Sequence, residues 1–290
     1  MATLYLVATP IGNLEDITLR ALRILAEVEL IAAEDTRHAR RLLQKYELHT
    51  RCISYHEHNK LARLDEILAT LANNDVALIS DAGTPGISDP GFELVRACID
   101  AGFPVVPLPG PSAPIAAVVA SGLAGDRFLY LGFLPRRSQE RRNLFAEMAL
   151  LNAGIVCFEA PHRLQDMLQD ALDVLGDRRI AVAKDISKRY ELIVRGSIST
   201  AQAYFAEHAP RGEFTIVFAG NDYVARRKAD QQKLFAPAEA HQVVTDDTVA
   251  QRLRELRAAG ASGSRAARTV AHELGLDKSR VYQIWLDIAE

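Results

Sequence analysis

Short apolar runs, often β-branched, alternate with stretches of helical apolar spacing through the first 120 residues. No other feature of the chain restricts its fold as much. Residues 4–8, 30–33, 51–55, 76–80 and 105–108 read as strands, and residues 17–26, 37–45, 61–71 and 92–101 read as helices. Parallel neighbours need long crossover connections, so this order predicts a largely parallel sheet with helices on both faces. Sheets of that kind bind ligands beyond the carboxyl ends of their strands. Three irregular loops fall there: Thr9-Pro-Ile-Gly-Asn13, Ser80-Asp-Ala-Gly-Thr-Pro-Gly-Ile-Ser-Asp-Pro-Gly91 and Pro107-Leu-Pro-Gly-Pro-Ser112.

The middle loop carries three glycines and two prolines in twelve residues, which prescribes backbone shape rather than packing. Its second half is accounted for if Asp89 caps the next helix and Pro90 opens it. Its first half, with Asp81 and Thr84 beside Gly83, is left over and reads as a ligand loop.

Beyond residue 122 the pattern changes. Residues 127–133, 155–159, 180–184, 191–197 and 214–219 are strand-like with fewer helices between them, which predicts a second α/β domain with a mixed sheet. The expected boundaries are residues 1–122, 123–220, a polar linker over 221–246, and a helical module over 247–290. In that module Val270, Ala271, Gly275, Leu276, Val281 and Ile284 have helix-turn-helix spacing, with Asp277 as the cap of the second helix. Lys278 and Arg280 would then be available to a polyanion, although a plain helical packing module fits the same spacing.

With 290 residues, 49% of them hydrophobic, the chain can bury a full core, and its net charge of −3 decides nothing about nucleic acid. Cys52, Cys98 and Cys157 are odd in number and far apart, which predicts free thiols in a reducing, cytoplasmic setting. No apolar run approaches membrane-spanning length, and no residue spacing suggests a metal. The G-x-G-x-x-G and G-x-x-x-x-G-K-[ST] phosphate loops are both missing, so an ordinary dinucleotide or P-loop site has no support in the sequence.

Five segments taken together, Thr9-Pro-Ile-Gly-Asn-Leu-Glu-Asp16, Ala33-Glu-Asp-Thr-Arg37, the 80–91 loop, Pro109-Gly-Pro-Ser-Ala113 and Phe158-Glu-Ala-Pro-His-Arg163, resemble the tetrapyrrole-methylase superfamily in kind and order. Within it the chain looks like the branch that methylates ribose 2′-hydroxyls of 16S ribosomal RNA, a branch whose helical tail it also matches. The resemblance covers about residues 3–220. It implies a homodimeric S-adenosylmethionine enzyme with two α/β domains, the cofactor lying between them and a cytidine of the small ribosomal subunit as substrate. It carries Asp81, Thr84, Ser112 and Ala113 over as cofactor contacts. Ile87 and Phe158 add apolar walls, and Pro10, Gly83, Ala160 and Thr215 follow from loop position.

Methyl transfer to a hydroxyl needs orientation and a destination for the proton. Candidates come from residues 183–191 and from Glu34-Asp-Thr-Arg37: Lys184 or Lys188 could lower the hydroxyl's pKa, and Glu191 or Asp185 could accept its proton, while each also reads as a solvated charge or a salt bridge. RNA needs a cationic approach. Arg136, Arg137, Arg141 and Arg142 form the densest local patch and Arg37 lies on another, against the plainer reading of solvated helix faces. Two rival functions stand: a methylase acting on a small corrin or sirohaem precursor, which would need neither arginine patch nor tail, and a non-catalytic nucleic-acid-binding regulator built around the tail.

Overall fold

The computed structural model describes residues 2–124, 126–221, 246–274 and 276–288. The chain divides near residue 223 into two compact units.

The first unit contains two sheets. Strands β1 (Leu4–Val7), β2 (Leu30–Ala33), β3 (Arg51–Ser54), β4 (Val76–Ile79) and β5 (Val105–Leu108) form a wholly parallel sheet in the order β3-β2-β4-β1-β5. Residues on a strand alternate between its faces, and each face has its own helices. Ile31, Ala33, Ala77 and Ile79 pack under α1 (Leu19–Glu27) and α2 (Thr36–Lys45). Leu30, Ala32, Val76 and Leu78 pack under α3 (Lys60–Leu71) and α4 (Phe92–Asp100). Thr18 caps α1 by accepting from the Ala21 amide at 3.1 Å, and Asp35 caps α2 by accepting from Arg37 at 2.8 Å.

One helix departs from the expected arrangement. α4 starts at Phe92 with Gly91 at its N-cap and no side-chain cap, so Asp89 and Pro90 lie outside it. Gly91 has φ +156°, and a Cβ there would come within 3.3 Å of the Gly86 amide. The chain enters α4 through a glycine turn that an Asp-Pro start would not make.

The second sheet is mixed. β6 (Phe128–Phe133), β7 (Gly154–Glu159), β8 (Arg179–Lys184), β9 (Leu192–Ser197) and β10 (Phe214–Phe218) take the order β6-β7-β10-β8-β9, with only β6 and β7 parallel. Every residue of the central β10 is buried, because both of its faces are covered. One face carries α6 (Ser138–Met148), α7 (Leu164–Leu175) and α8 (Ile198–Glu207) around Ile155, Cys157, Ile216 and Phe218.

The other face is covered by α5 (Ala113–Ser121), although that helix directly follows the first sheet's last strand. Ala117 and Val118 of α5 rest on Val156, Ala181, Ala183, Val217 and Ala219. The three alanines keep the sheet surface low enough for a helix to lie close. A boundary at residue 122, expected from the change of pattern there, therefore falls after a helix that belongs by packing to the second sheet.

The second unit has its own small core. α9 (Asp246–Ala258), α10 (Gly263–Leu274) and α11 (Lys278–Asp287) enclose Val249, Leu253, Ala266, Val270 and Val281. Asp277 caps α11, accepting from the amides of Ser279 at 2.8 Å and Arg280 at 3.2 Å. The expected linker, apart from its ends, and the Gly275 turn lie outside the described residues.

Candidate active site

The carboxyl ends of β1, β4 and β5 are neighbours in the sheet, and hydrogen bonds join the loops that leave them. Thr9 and Gly83 exchange backbone hydrogen bonds of 2.9 Å in both directions, and the Thr9 hydroxyl donates to Ser80 O at 3.1 Å. The Thr84 hydroxyl reaches Pro111 O at 3.4 Å. Gly83 has φ +83°, a conformation that favours glycine, and a Cβ there would meet Ile11 at 3.4 Å.

The second sheet closes over these loops. Residues 185–187 turn twice through the left-handed region, at Asp185 (φ 50°) and Ser187 (φ 67°), and bring the Ser187 hydroxyl onto the Asp16 carboxylate. Gly12 is pressed against that turn: a Cβ would sit 3.1 Å from both Ile186 O and the Lys188 amide. On the other side the Ser88 and Tyr130 hydroxyls are 2.8 Å apart.

Between the two domains lies a cavity of about 340 Å³, within the roughly 300–1,000 Å³ typical of ligand pockets. The first domain contributes Ile11, residues 82–84, residues 87–89 and residues 112–114; the second contributes Phe133, residues 158–161, Ile186 and residues 212–215. Phe158 and Thr215 are cross-strand partners, so the register of β7 against β10 sets them side by side. Phe158 also packs edge-on to Tyr130 at 5.5 Å and against Phe133 at 5.4 Å. No side chain caps α5, and Ser112, Ala113 and Pro114 at its start line this space.

Eight of the residues expected at a cofactor site line this cavity: Gly83, Thr84, Ile87, Ser112, Ala113, Phe158, Ala160 and Thr215. Pro10 and Asp81 do not. They border a separate space of about 150 Å³ beside α2. Asp81 is turned that way by its bonds, since Oδ1 accepts from the Asp35 amide at 3.0 Å and Oδ2 lies 3.4 Å from His38 Nδ1.

The expected catalytic groups are engaged elsewhere. Lys184 Nζ is 2.6 Å from Asp185, and Lys188 is 3.1 Å from Glu213 and 3.5 Å from Asp185. Glu191 accepts from the Ser187 amide at 2.6 Å. These bonds hold the 185–191 turn in shape, and none of the three residues lines the cavity.

Three further carboxylates, each inside a segment singled out in the sequence, are placed at or near it. Glu159 lies behind Ala160, bonded to that amide at 2.8 Å and to Arg163 at 3.1 Å, and burial raises its pKa. Glu34 is raised by burial too. Burial, with the negative charge of Glu34 added, pushes the Asp89 carboxyl up to about 7. Phe133 was missed. It is 60% exposed beside the cavity, at the exit of β6, and only its position after an apolar run signalled it.

The arginines divide by partner. Arg141 is 3% exposed and paired with Asp170 at 2.5 Å, so it serves the packing of α6 on α7 and cannot meet a polyanion. Arg142 bonds Asp173 at 2.6 Å, Arg280 bonds Asp246 at 2.8 Å, and Arg37 is chelated by the Asp35 carboxylate. Arg137 is 84% exposed with only a 3.3 Å contact to Glu140. Arg136 and Lys278 are exposed. Arg136 borders a further cavity beside Arg163.

A cleft walled by two α/β domains and lined by glycine-rich loops, an open helix start and aromatic rings defines a small-molecule-binding enzyme of the two-domain α/β class. Residues 3–202 match the tetrapyrrole (corrin/porphyrin) methylases, and the chain belongs to that family. It is 45% identical to the ribosomal RNA small subunit methyltransferase I of Synechocystis sp. over 99% of both chains. It is also 45% identical to the protein of that name from Thermotoga maritima, where 77% of this chain covers 100% of the relative. Among solved structures, a uroporphyrin-III C-methyltransferase from Thermus thermophilus shares the fold at 19% identity, with a TM-score of 0.55 over 79% of this chain and 98% of that one. A cobalt-precorrin-4 methyltransferase does so at 14% identity and a TM-score of 0.58, over 75% and 94% of the two chains.

Proposed function

We propose that this protein is an S-adenosylmethionine-dependent methyltransferase that methylates the ribose 2′-hydroxyl of a cytidine in 16S ribosomal RNA of the small subunit. One observation carries the choice of RNA over a tetrapyrrole: the 45% identity to a ribosomal RNA methyltransferase extends over 99% of the chain, the helical unit included. The two solved tetrapyrrole methyltransferases described above share the fold at 19% and 14% identity.

The cavity residues suit this cofactor. The uncapped start of α5 at Ser112 and Ala113 offers amides for a carboxylate, as does the backbone at Gly83 and Thr84. Ile11, Ile87 and Phe158 would hold the apolar parts, and Thr215 and Ala160 complete the wall. When bound, S-adenosylmethionine supplies a methyl group on a good leaving group. The protein's task is to orient the acceptor hydroxyl, exclude water and take up a proton.

Phe133, exposed at the mouth, gives a face on which an unstacked base can rest. Arg136, Arg137 and Lys278 are the cations on which the RNA reading relies, with Arg37, Arg142 and Arg280 available once their carboxylate partners are displaced. The proposal includes a homodimer and action in the cytoplasm, where small subunits are assembled.

No helix among the described residues is long and apolar enough to cross a membrane, and no group of His, Cys, Asp and Glu there could hold a metal. The deciding experiment is mass spectrometry of 16S ribosomal RNA from cells lacking the gene. One ribose methyl should disappear and return on complementation; an unchanged modification map would remove the substrate assignment.

A further inference from the structure

Asp89 is the one acidic side chain on the cavity wall of the first domain, and its surroundings are unlike those of the other carboxylates nearby. Glu159, across the cavity, has its oxygens taken by Arg163 and by the Ala160 amide. Asp81 is turned away and accepts from Asp35. The charged groups that act on Asp89 are acidic: Glu34 at the end of β2 and Asp81 after β4, with the Ser80 hydroxyl as a single compensating donor. Tyr130 on β6 approaches from the second domain, its own pKa raised by burial.

The backbone delivers Asp89 to this place at a cost. Ser88 takes φ +61°, sparsely populated by non-glycine residues, and such strain gathers at functional sites. Ser88 is held there by its 2.8 Å bond to Tyr130, and by Gly132, where a Cβ would stand 3.0 Å from the Ser88 hydroxyl oxygen. The residue before Asp89 is thus fastened to the opposite domain. A loop that served only to start α4 would need none of this, since Gly91 already starts it without a side-chain cap.

We infer that Asp89 is the general base of the reaction, accepting the proton of the ribose hydroxyl as that oxygen takes the methyl group. This rests on the functional reading above. In the step, the hydroxyl oxygen forms a bond to the methyl carbon as the carbon–sulfur bond breaks, and the bonding pair leaves with sulfur. The sulfonium charge is thereby cancelled, and the proton passes to the Asp89 carboxylate. A carboxylate titrating near neutrality is a far better acceptor than one near 4, and about half of it is ionised at pH 7. The Lys184, Lys188 and Glu191 cluster has no comparable opening to the cavity.

The test combines titration with kinetics. The carboxyl carbon of Asp89, followed by NMR in the ligand-free protein, should titrate near 7, and the acidic limb of the single-turnover rate on small subunits should follow it. Glu34→Gln removes a neighbouring negative charge, so it should move both the NMR titration and the rate limb to lower pH together. Asp89→Asn should bind S-adenosylmethionine as the wild type does, by calorimetry, yet transfer methyl about 10²-fold or more slowly. An Asp89 that titrates near 4, a rate limb that stays put when its titration moves, or an Asp89→Asn protein of undiminished rate would overturn the assignment. Should Asp89→Asn fail to fold, the paired shifts in Glu34→Gln decide. Absence of methylation by the wild type would instead remove the functional reading itself.

Discussion

The Ser88 hydroxyl lies 2.8 Å from the Tyr130 hydroxyl, so the loop after β4 is bonded across the cavity to the edge strand of the second sheet. That hydrogen bond joins the two sides of the cleft here, and Ser187 with Asp16 joins them on the other side.

Tyr130→Phe removes the first of these links and keeps the ring against Phe158. A loss of about 1 kcal/mol in denaturant unfolding is expected, with cofactor affinity by calorimetry falling several-fold. An unchanged affinity would mean that the loop keeps its place without the bond.

Gly12→Ala tests the opposite side. The new Cβ would stand 3.1 Å from Ile186 O and the Lys188 amide, backbone atoms that can give only if the 185–191 turn retreats. Cofactor binding should weaken more than ten-fold while thermal stability changes little. Binding equal to that of the wild type would show that the turn does not shape the pocket.

Two neighbouring arginines should behave in opposite ways. Arg141→Ala strips a buried partner from Asp170 and should cost about 3–5 kcal/mol in unfolding free energy. Arg136→Ala should leave stability unaltered, weaken RNA binding and lower its salt slope by about 1. Equal effects on stability would contradict their different burial.

Asp89 should also leave a mark on stability. Its pKa is raised to about 7 in the folded protein from 3.8. Between those values the folded form keeps a proton that the unfolded form has lost, so this group's contribution falls as pH rises from 4 to 7 and is level beyond. Asp89→Asn should therefore raise the melting temperature at pH 8 and change it little at pH 3.5, where both proteins carry an uncharged group. The reverse order would show that Asp89 is not held in an unfavourable setting.

A protein ending at residue 221 should bind S-adenosylmethionine like the full chain and bind small-subunit RNA more weakly. The helical unit has a core of its own, and the family match over residues 3–202 lies outside it. Loss of cofactor binding in a folded truncation would refute the separation.

Much of the first sheet was legible in the order of residues. Apolar runs such as residues 30–33 and 76–79, buried on both faces, leave little choice but parallel strands, and turn residues mark where each chain segment must stop. The irregular shape of the 80–91 loop was legible because its glycines and prolines dictate local backbone geometry, and residues 82–84 and 87–89 of it line the cavity. Asp277 could be read as a cap because a cap depends only on the few residues after it.

What residue order could not supply was the partner of each charged or apolar side chain, because that depends on atoms distant along the chain. Arg141 and Arg136 look alike in a run of arginines, and only the packing of α6 on α7 buries one against Asp170. α5 follows the first sheet in sequence, yet its apolar surface is satisfied by the alanines of the second. Asp81 has the stronger motif, but it is spent on Asp35 and His38, while Asp89 is carried into the cavity by a turn fastened to Tyr130. Local propensity and pattern determined the elements and the loops between them. Burial and long-range pairing, which set both the availability and the acidity of a side chain, were decided by the tertiary structure alone.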